Sequence, residues 1–346
     1  MKTRQVHLVS RPEGFATPGN FVVREVDLPV LKEGQVLVEN LYMSIDPYMR
    51  RSMEPVATDL PPWPIGEALN GPSIGRVIDS RNSKYAVGDL VESMSGWQEH
   101  FISDAEDFIA YLSPDNAIAK RSLMNGAEPK DFLGILGVAA QTSYFGMMCA
   151  ATPVAGETLV VSSGAGVVGS VACQIGKIKG MRVVSSAGSD DKVAWLVNEL
   201  GVDHAFNYKK TAIAEGLKAG CPKGIDLVLE SASPEHFSAC LPLMNEQKLL
   251  LIAGFISIYN SGGVVRNISN FEYVLDRFLT IKSYPFMAYL DAYDQFVHDM
   301  LSWRAEGRMQ FKEAIHEGLE AAPAALCSLF TGAIHGKSLV KLKNYV

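Results

Sequence analysis

No Cys-x-x-Cys pair occurs anywhere in the 346 residues. The five cysteines (Cys149, Cys173, Cys221, Cys240 and Cys327) are odd in number and widely spaced. That usage argues against a structural four-cysteine zinc lobe and against a disulfide framework, and a reducing compartment such as the cytoplasm fits it. Each cysteine reads as a small core residue. The seven histidines, at positions 7, 100, 204, 236, 298, 316 and 335, have no ligand-like spacing and read as solvated or core side chains. Long apolar runs are missing too. The longest, around Phe132 to Ala140 and Leu249 to Ile256, are far too short to span a bilayer, so no membrane role is expected. No apolar run follows the basic residues of Met1 to Gly14, and no signal peptide is expected. Basic clusters are absent: Lys32, Lys120 and Arg121 are scattered, and the formal net charge is -7. Nucleic acid and anionic membrane are therefore poor candidates as partners.

What remains is a chain with 48% hydrophobic and 20% charged residues, ample for a packed core and long enough for two domains. Its first 125 residues lean towards strands. Val6 to Val9, Phe21 to Val26, Gln35 to Leu41 and Gly71 to Asp79 are β-type runs broken by Pro and Gly. From Thr158 the pattern alternates: strand 158–162, helix 167–179, strand 181–186, helix 190–200, strand 225–230, helix 235–244, strand 248–253. Such alternation predicts βαβ units around a buried parallel sheet. A helix near 290–306 leads to a tail of strand-like pieces, Met309 to Ile315 and Lys337 to Leu342, around a helix at 319–331. The tail matches the first block in style, so residues 1–125 and 300–346 are expected to form one domain and residues 126–299 another. The fold class expected is α/β.

The most informative segment is Thr158 to Gly180. A buried strand runs into Ser163-Gly164-Ala165-Gly166-Val167-Val168-Gly169, followed by a helix. This is GxGxxG in its meaningful context, with a strand before it and a helix after it. Gly164 permits the tight turn, Gly166 lets the backbone approach a pyrophosphate, and Gly169 lets helix and strand pack closely. The helix N-terminus offers N–H groups and a positive dipole end to the phosphates. The second strand ends in Ala187-Gly188, where NAD-selective sites commonly place an acidic residue for the ribose diol. Ser189 reads as the next helix's N-cap, with Asp190, Asp191 and Lys192 in its first turn. A lysine there opposes the helix dipole, and with no acid at the strand tip it reads as a charge aimed at an adenosine 2′-phosphate. Tyr208 can close the same pocket. NADP is therefore favoured over NAD.

Zinc ligands of the dehydrogenase type are not visible. Met43 stands where such enzymes place a cysteine three residues before Asp46, and Asn70-Gly71-Pro72 replaces Gly-His-Glu. Activation of a carbonyl then falls to hydrogen-bond donors, such as tyrosine hydroxyls or a cofactor ribose hydroxyl. Asp46-Pro47 also reads as an N-cap followed by proline at the first helical position.

With these residues in view, the chain resembles the zinc-independent prostaglandin reductase, alkenal double-bond reductase and curcumin reductase family of medium-chain dehydrogenase/reductases. The likeness runs over most of the length: Ser10-Arg11-Pro12 with Gly14, Asn20-Phe21, Gly34 to Val38, Ser44-Ile45-Asp46-Pro47-Tyr48-Met49-Arg50 and Ser95-Gly96-Trp97-Gln98. It continues through Leu136-Gly137, Gly166 to Ser170, Gln174 to Gly180, Ala187-Gly188-Ser189 with Lys192, Asn207-Tyr208-Lys209, Ile256-Ser257-Ile258-Tyr259-Asn260 and Gly336-Lys337. The resemblance implies a GroES-like β-barrel built from both termini beside a Rossmann domain, a cleft between them, and a homodimer. It implies 2′-phosphate contacts at Lys192 and Tyr208, and a tyrosine beside the nicotinamide ribose at Tyr259. It implies further cofactor contacts at Thr142, Ser231, Phe255, Ile256, Tyr284 and Phe286. The implied reaction moves a hydride from NADPH to the β-carbon of an α,β-unsaturated aldehyde or ketone, with Tyr259 and Tyr48 as catalytic candidates. A quinone reductase, or an NADPH-binding sensor or scaffold with little turnover, are the alternatives.

Four positions depart from the family pattern. Family members usually read Asn-Val-Gly-Gly where Ser231-Ala232-Ser233 follows Glu230, and Met-Pro-Gly where this chain has Val138-Ala139-Ala140. An Asn that touches the cofactor is Ile334, and a tyrosine ahead of the Pro-Pro pair is Asp59. The fold and the cofactor site match the pattern; the substrate pocket differs.

Overall fold

The structure, a computed structural model, describes residues 1–56, 61–106, 108–109, 120, 122–123, 126–265 and 267–344; Asp59 lies outside them. The chain divides into two compact units, one of Met1–Ile135 with Glu313–Val346 and one of Leu136–Lys312. The change of sequence style puts these divisions near 125 and 300, and the structure puts them later. At the first, Lys130 lies 2.6 Å from Glu313, which ties the turn Pro129–Phe132 to the first unit. At the second, Gln310 exchanges two hydrogen bonds with Gln174 (2.6 and 2.9 Å), which holds the chain past residue 300 to the second unit.

In the first unit, β1 (Lys2–Leu8) and β2 (Phe21–Asp27) form an antiparallel pair. A larger sheet contains β3 (Val36–Ile45), β4 (Ser73–Ser80), β5 (Leu90–Ser93), β6 (His100–Ser103), β13 (Glu313–Glu317) and β14 (Lys337–Lys341). β3 organises it. Along one edge its first half pairs with β6 and its second half with β14, and its other edge pairs with β4. Register shifts at Leu37/Val38 and Asn40/Tyr42 bend the strand, so it can serve all three partners. The buried Asn40 amide bridges the bend by donating to the carbonyls of Ser95 (2.9 Å) and Gln98 (2.8 Å). Both termini meet in one apolar core. Val6, Leu8, Met43, Ile45, Trp63, Trp97 and Met49 of the short helix α1 (Met49–Ser52) pack with Leu319 and with Ala322 and Leu326 from helix α9 (Ala322–Leu329).

The second unit is a doubly wound parallel sheet in the order β12-β11-β10-β7-β8-β9, that is Thr280–Ser283, Met244–Ile252, Ile225–Glu230, Thr158–Val161, Arg182–Ala187 and His204–Asn207. Its central strands are buried nearly throughout, as helices on both faces require. The helices include α2 (Val138–Phe145), α3 (Val167–Ile178), α4 (Asp190–Asn198), α5 (Ile213–Gly220), α6 (Pro234–Cys240), α7 (Glu272–Asp276) and α8 (Tyr293–Ala305). The strand order reverses between β7 and β10, which makes the C-terminal edge there the expected ligand crevice. Two elements differ from their sequence reading. The helix read as 235–244 stops at Cys240 and tightens into a 3-10 turn over Leu241–Leu243, where Pro242 removes a donor. The strand that follows starts early, at Met244.

Candidate active site

The glycine loop leaves β7 through Ser162 and Ser163, and Ser163 takes the left-handed conformation (φ 50°). Gly164 then turns under β8: its N–H donates to the Ser186 carbonyl (3.0 Å), and a Cβ there would sit 2.0 Å from Ser185 Oγ. A Cβ on Gly169 would sit 2.3 Å from the Ser163 carbonyl and 2.8 Å from Gly164 Cα. Neither position has room for a side chain. Gly166 differs: its nearest neighbour to such an atom is at 3.4 Å, so the backbone presents an open face. It is also the N-cap of α3 and offers no side-chain cap. The first N–H groups of α3, from Val167, Val168 and Gly169, have no partner within the helix and suit a pyrophosphate. Ala165 is buried under the turn.

At the tip of β8, Gly188 has Tyr208 against it. Tyr208 N–H donates to the Ala187 carbonyl (3.1 Å), and its hydroxyl lies 2.8 Å from where a Gly188 Cβ would be. Ser189 caps α4 by accepting from the Lys192 N–H (3.4 Å), as its sequence position predicts. Lys192 is half-buried, and its ammonium is pushed below the usual lysine range by burial and then by the charge of Lys209. Two cations thus crowd one corner. Asp190, the acid closest to the tip in sequence, is already engaged: it accepts from Asn207 Nδ2 (2.8 Å) and from Lys210, and these bonds hold its carboxyl below the usual range. A small, uncharged strand tip with hydroxyl and ammonium donors around it fits an adenosine 2′-phosphate.

The loops after β10 and β11 complete this edge. Ser231 N–H donates to Ser162 Oγ (2.7 Å), which ties the β10 loop to the root of the glycine loop. Ile256 N–H donates to the Ser231 carbonyl (3.2 Å) and Ser257 N–H to the Ala232 carbonyl (3.0 Å). The 3-10 segment Ile256–Ser261 carries Tyr259, whose hydroxyl comes within 3.1 Å of the Cβ position of Gly254. Phe255 turns its ring into the core, edge-on to Phe237 (centroids 6.2 Å apart), so what it offers a ligand is backbone. After β12, the buried Tyr284 hydroxyl donates to the Thr142 carbonyl (3.0 Å), and burial keeps that phenol protonated well above the usual range. Phe286 opens the next 3-10 segment, Phe286–Ala292. The predicted residues of the second unit thus fall mainly at the C-terminal ends of its strands, and Thr142 is joined to them through Tyr284.

Tyr48 belongs to the first unit. It precedes the single turn Met49–Ser52 and packs on the core there. Burial, and then the Asp46 carboxylate, push its phenol far above the usual range, so it remains a hydrogen-bond donor. Asp46 does not cap that turn, contrary to its sequence reading. Its carboxylate accepts from Lys337 Nζ (2.5 Å) and from Ser44 Oγ instead, because β14 runs beside β3 and delivers a buried lysine there. Lys337 and the Glu230–His236 pair (2.8 Å) are among the buried charged or polar groups that sequence reasoning missed. The Met43 position is core, fully buried, and a Cβ on Gly71 would meet Met49 Cε at 2.8 Å. Among the described residues, no three His, Cys, Asp or Glu side chains converge on a metal position.

Two family models match the chain: the N-terminal domain of oxidoreductase over residues 4–111, and zinc-binding dehydrogenase over residues 167–301. The NADPH-dependent curcumin reductase of Escherichia coli (strain K12) is 34% identical over 348 residues, covering 99% of this chain and 97% of that protein. The chain belongs to the curcumin reductase and prostaglandin reductase family of medium-chain dehydrogenase/reductases. Another member, prostaglandin reductase 1 of Bos taurus, is 34% identical over 330 residues, 95% of each chain. Among solved members, CurA from Vibrio vulnificus in complex with NADPH superposes with a TM-score of 0.89 at 32% identity, covering 99% of this chain and 100% of that one. The family's fold, a GroES-like domain and a Rossmann domain, is the one described above.

Proposed function

We propose that this chain is an NADPH-dependent reductase of the activated C=C bond in α,β-unsaturated aldehydes or ketones. The observation that carries the reading is the tip of β8. Gly188, Tyr208, Lys192 and Lys209 make a cationic, hydroxyl-bearing corner where a ribose diol would call for an acid. The named activities of the curcumin and prostaglandin reductases support it.

Bound there, NADPH supplies a hydride for the β-carbon of the enone. The chain's own residues do the rest. The α3 N-terminus and the Gly166 backbone receive the pyrophosphate. Lys192 and Tyr208 receive the 2′-phosphate. Tyr259 orients the nicotinamide ribose and its hydroxyl. Negative charge that develops on the substrate oxygen needs a donor, and the hydroxyls of Tyr259 and Tyr48 are the candidates. The reaction is read as zinc-free, which the core packing at the Met43 and Gly71 positions supports. NADPH oxidation with a panel of enones and quinones tests the reading. Turnover of enones supports it; turnover of quinones alone, or of neither, favours a quinone reductase or an NADPH-binding sensor.

A homodimer and a cytoplasmic location complete the proposal. β12 ends the parallel sheet, and Phe271, Leu275 and Phe278 are exposed close to it in the chain (50%, 74% and 71%). A second copy adding its own β12 would extend the sheet and cover those side chains. Light scattering should give twice the chain mass, and a monomer at working concentrations counts against it. All five cysteines are free thiols, which suits the cytoplasm, and no helix among the described residues is long and apolar enough to cross a membrane.

A further inference from the structure

Glu230 ends β10 with its side chain fully buried. Its Oε1 accepts from Ser162 Oγ (2.9 Å), from the Ala232 N–H (2.6 Å) and from the Ser233 N–H (2.9 Å). Its Oε2 meets His236 Nδ1 at 2.8 Å. A carboxyl oxygen set that takes this many donors acts as a carboxylate, so Nδ1 donates. Ser162 is the root of the glycine loop, and its Oγ also receives the N–H groups of Ser231 (2.7 Å) and Ala232 (3.1 Å). The carbonyls of Ser231 and Ala232 hold Ile256 and Ser257, the start of the segment that bears Tyr259. One buried carboxylate therefore sets two of the surfaces that a dinucleotide would touch, at the point where the strand order reverses.

His236 sits on the first turn of α6, six residues past the Glu230 it serves. Its Nε2 is buried without a hydrogen-bond partner. An aliphatic side chain would fill this space without a buried Nε2, but it would leave Glu230 Oε2 without the donor it has now. The imidazole earns its place through Nδ1, the partner of Glu230 Oε2.

We propose that His236 is a positioning residue for hydride transfer. By donating to Glu230 it keeps the carboxylate oriented so that the glycine-loop root and the Tyr259 segment hold their places. The proposal rests on the reductase reading. His236→Asn and His236→Leu separate it from simple packing, because the Asn amide nitrogen falls close to where Nδ1 stands, while Leu fills the volume with no donor. NADPH titration and single-turnover NADPH oxidation with a medium-chain alkenone are the readouts, with thermal melting as the check on folding. His236→Leu should melt as a folded protein, transfer hydride at least about tenfold more slowly and bind NADPH roughly two- to tenfold more weakly. His236→Asn should stay within about threefold of wild type in both. The opposite order, Leu near wild type and Asn impaired, would assign the site to packing and overturn the proposal, as would wild-type behaviour of both. If His236→Leu does not fold, His236→Asn decides alone: near-wild-type values support the donor role, and a loss beyond tenfold overturns it. If the wild type transfers no hydride to enones, the reductase reading fails by itself, and the NADPH affinities of the two variants still test the positioning.

Discussion

The Tyr208 hydroxyl stands 2.8 Å from the point where a side chain on Gly188 would begin. The ring thus occupies the space that an acidic strand tip would need, and Lys192 lies in the helix turn beside it. Gly188→Asp should displace the ring and bring a carboxylate towards the 2′-phosphate. NADPH affinity should then fall by roughly ten- to a hundredfold, while NADH affinity holds or improves. Titration of both cofactors checks it; equal losses for the two would mean the strand tip does not select.

Lys192 makes the complementary test. Removing its ammonium in Lys192→Ala should cost on the order of 1.5–3 kcal/mol of NADPH binding if it bonds a phosphate. NADH binding should hardly change. A parallel loss for NADH would make the lysine a support of the fold.

Much of this site was legible in the chain. The strand-to-helix rhythm gave the parallel sheet, and the glycines at 164 and 169 are required by contacts of 2.0 and 2.3 Å that no side chain could share. Ser189 caps its helix as a serine before an acidic turn should. These are local patterns, set within a few residues. Asp46 misled because its decisive partner, Lys337, arrives from the far end of the chain. His236 was invisible for a related reason. Its role depends on the enclosure of Glu230 and on a hydrogen bond that no periodicity announces. Phe255 follows the C-terminal end of β11, but the direction of its ring follows from Phe237 in the core.

Glu92 makes stability depend on pH. Its carboxyl is buried, Oε2 has no hydrogen-bond partner, and burial pushes its pKa up to about 8. The folded state therefore holds a proton that the unfolded chain releases near its ordinary value of 4.5. The sign is that of a raised pKa: the contribution is fully present below about 4.5 and is lost as pH rises through about 8. Glu92→Gln removes the titration. It should melt close to wild type at about pH 5 and gain on the order of a few kcal/mol over it by about pH 9. A constant difference across that range would show that Glu92 does not titrate in the fold.

Tyr259→Phe removes one oxygen and little volume, so the fold should survive. Loss of one transition-state hydrogen bond should lower kcat by roughly ten- to a thousandfold, with NADPH affinity changed far less. An unchanged hydride-transfer rate would take Tyr259 out of the mechanism and leave Tyr48 as the donor to examine.

The central claim is metal-free hydride transfer from NADPH to an enone. Single-turnover NADPH oxidation with a medium-chain alkenone, run in excess chelator on protein assayed for zinc, tests it most directly. The account predicts no stoichiometric zinc, full activity in chelator, and one saturated ketone formed per NADPH consumed. About one tightly bound zinc per chain with activity lost on its removal, or NADPH that binds but is never oxidised by any enone, would contradict it.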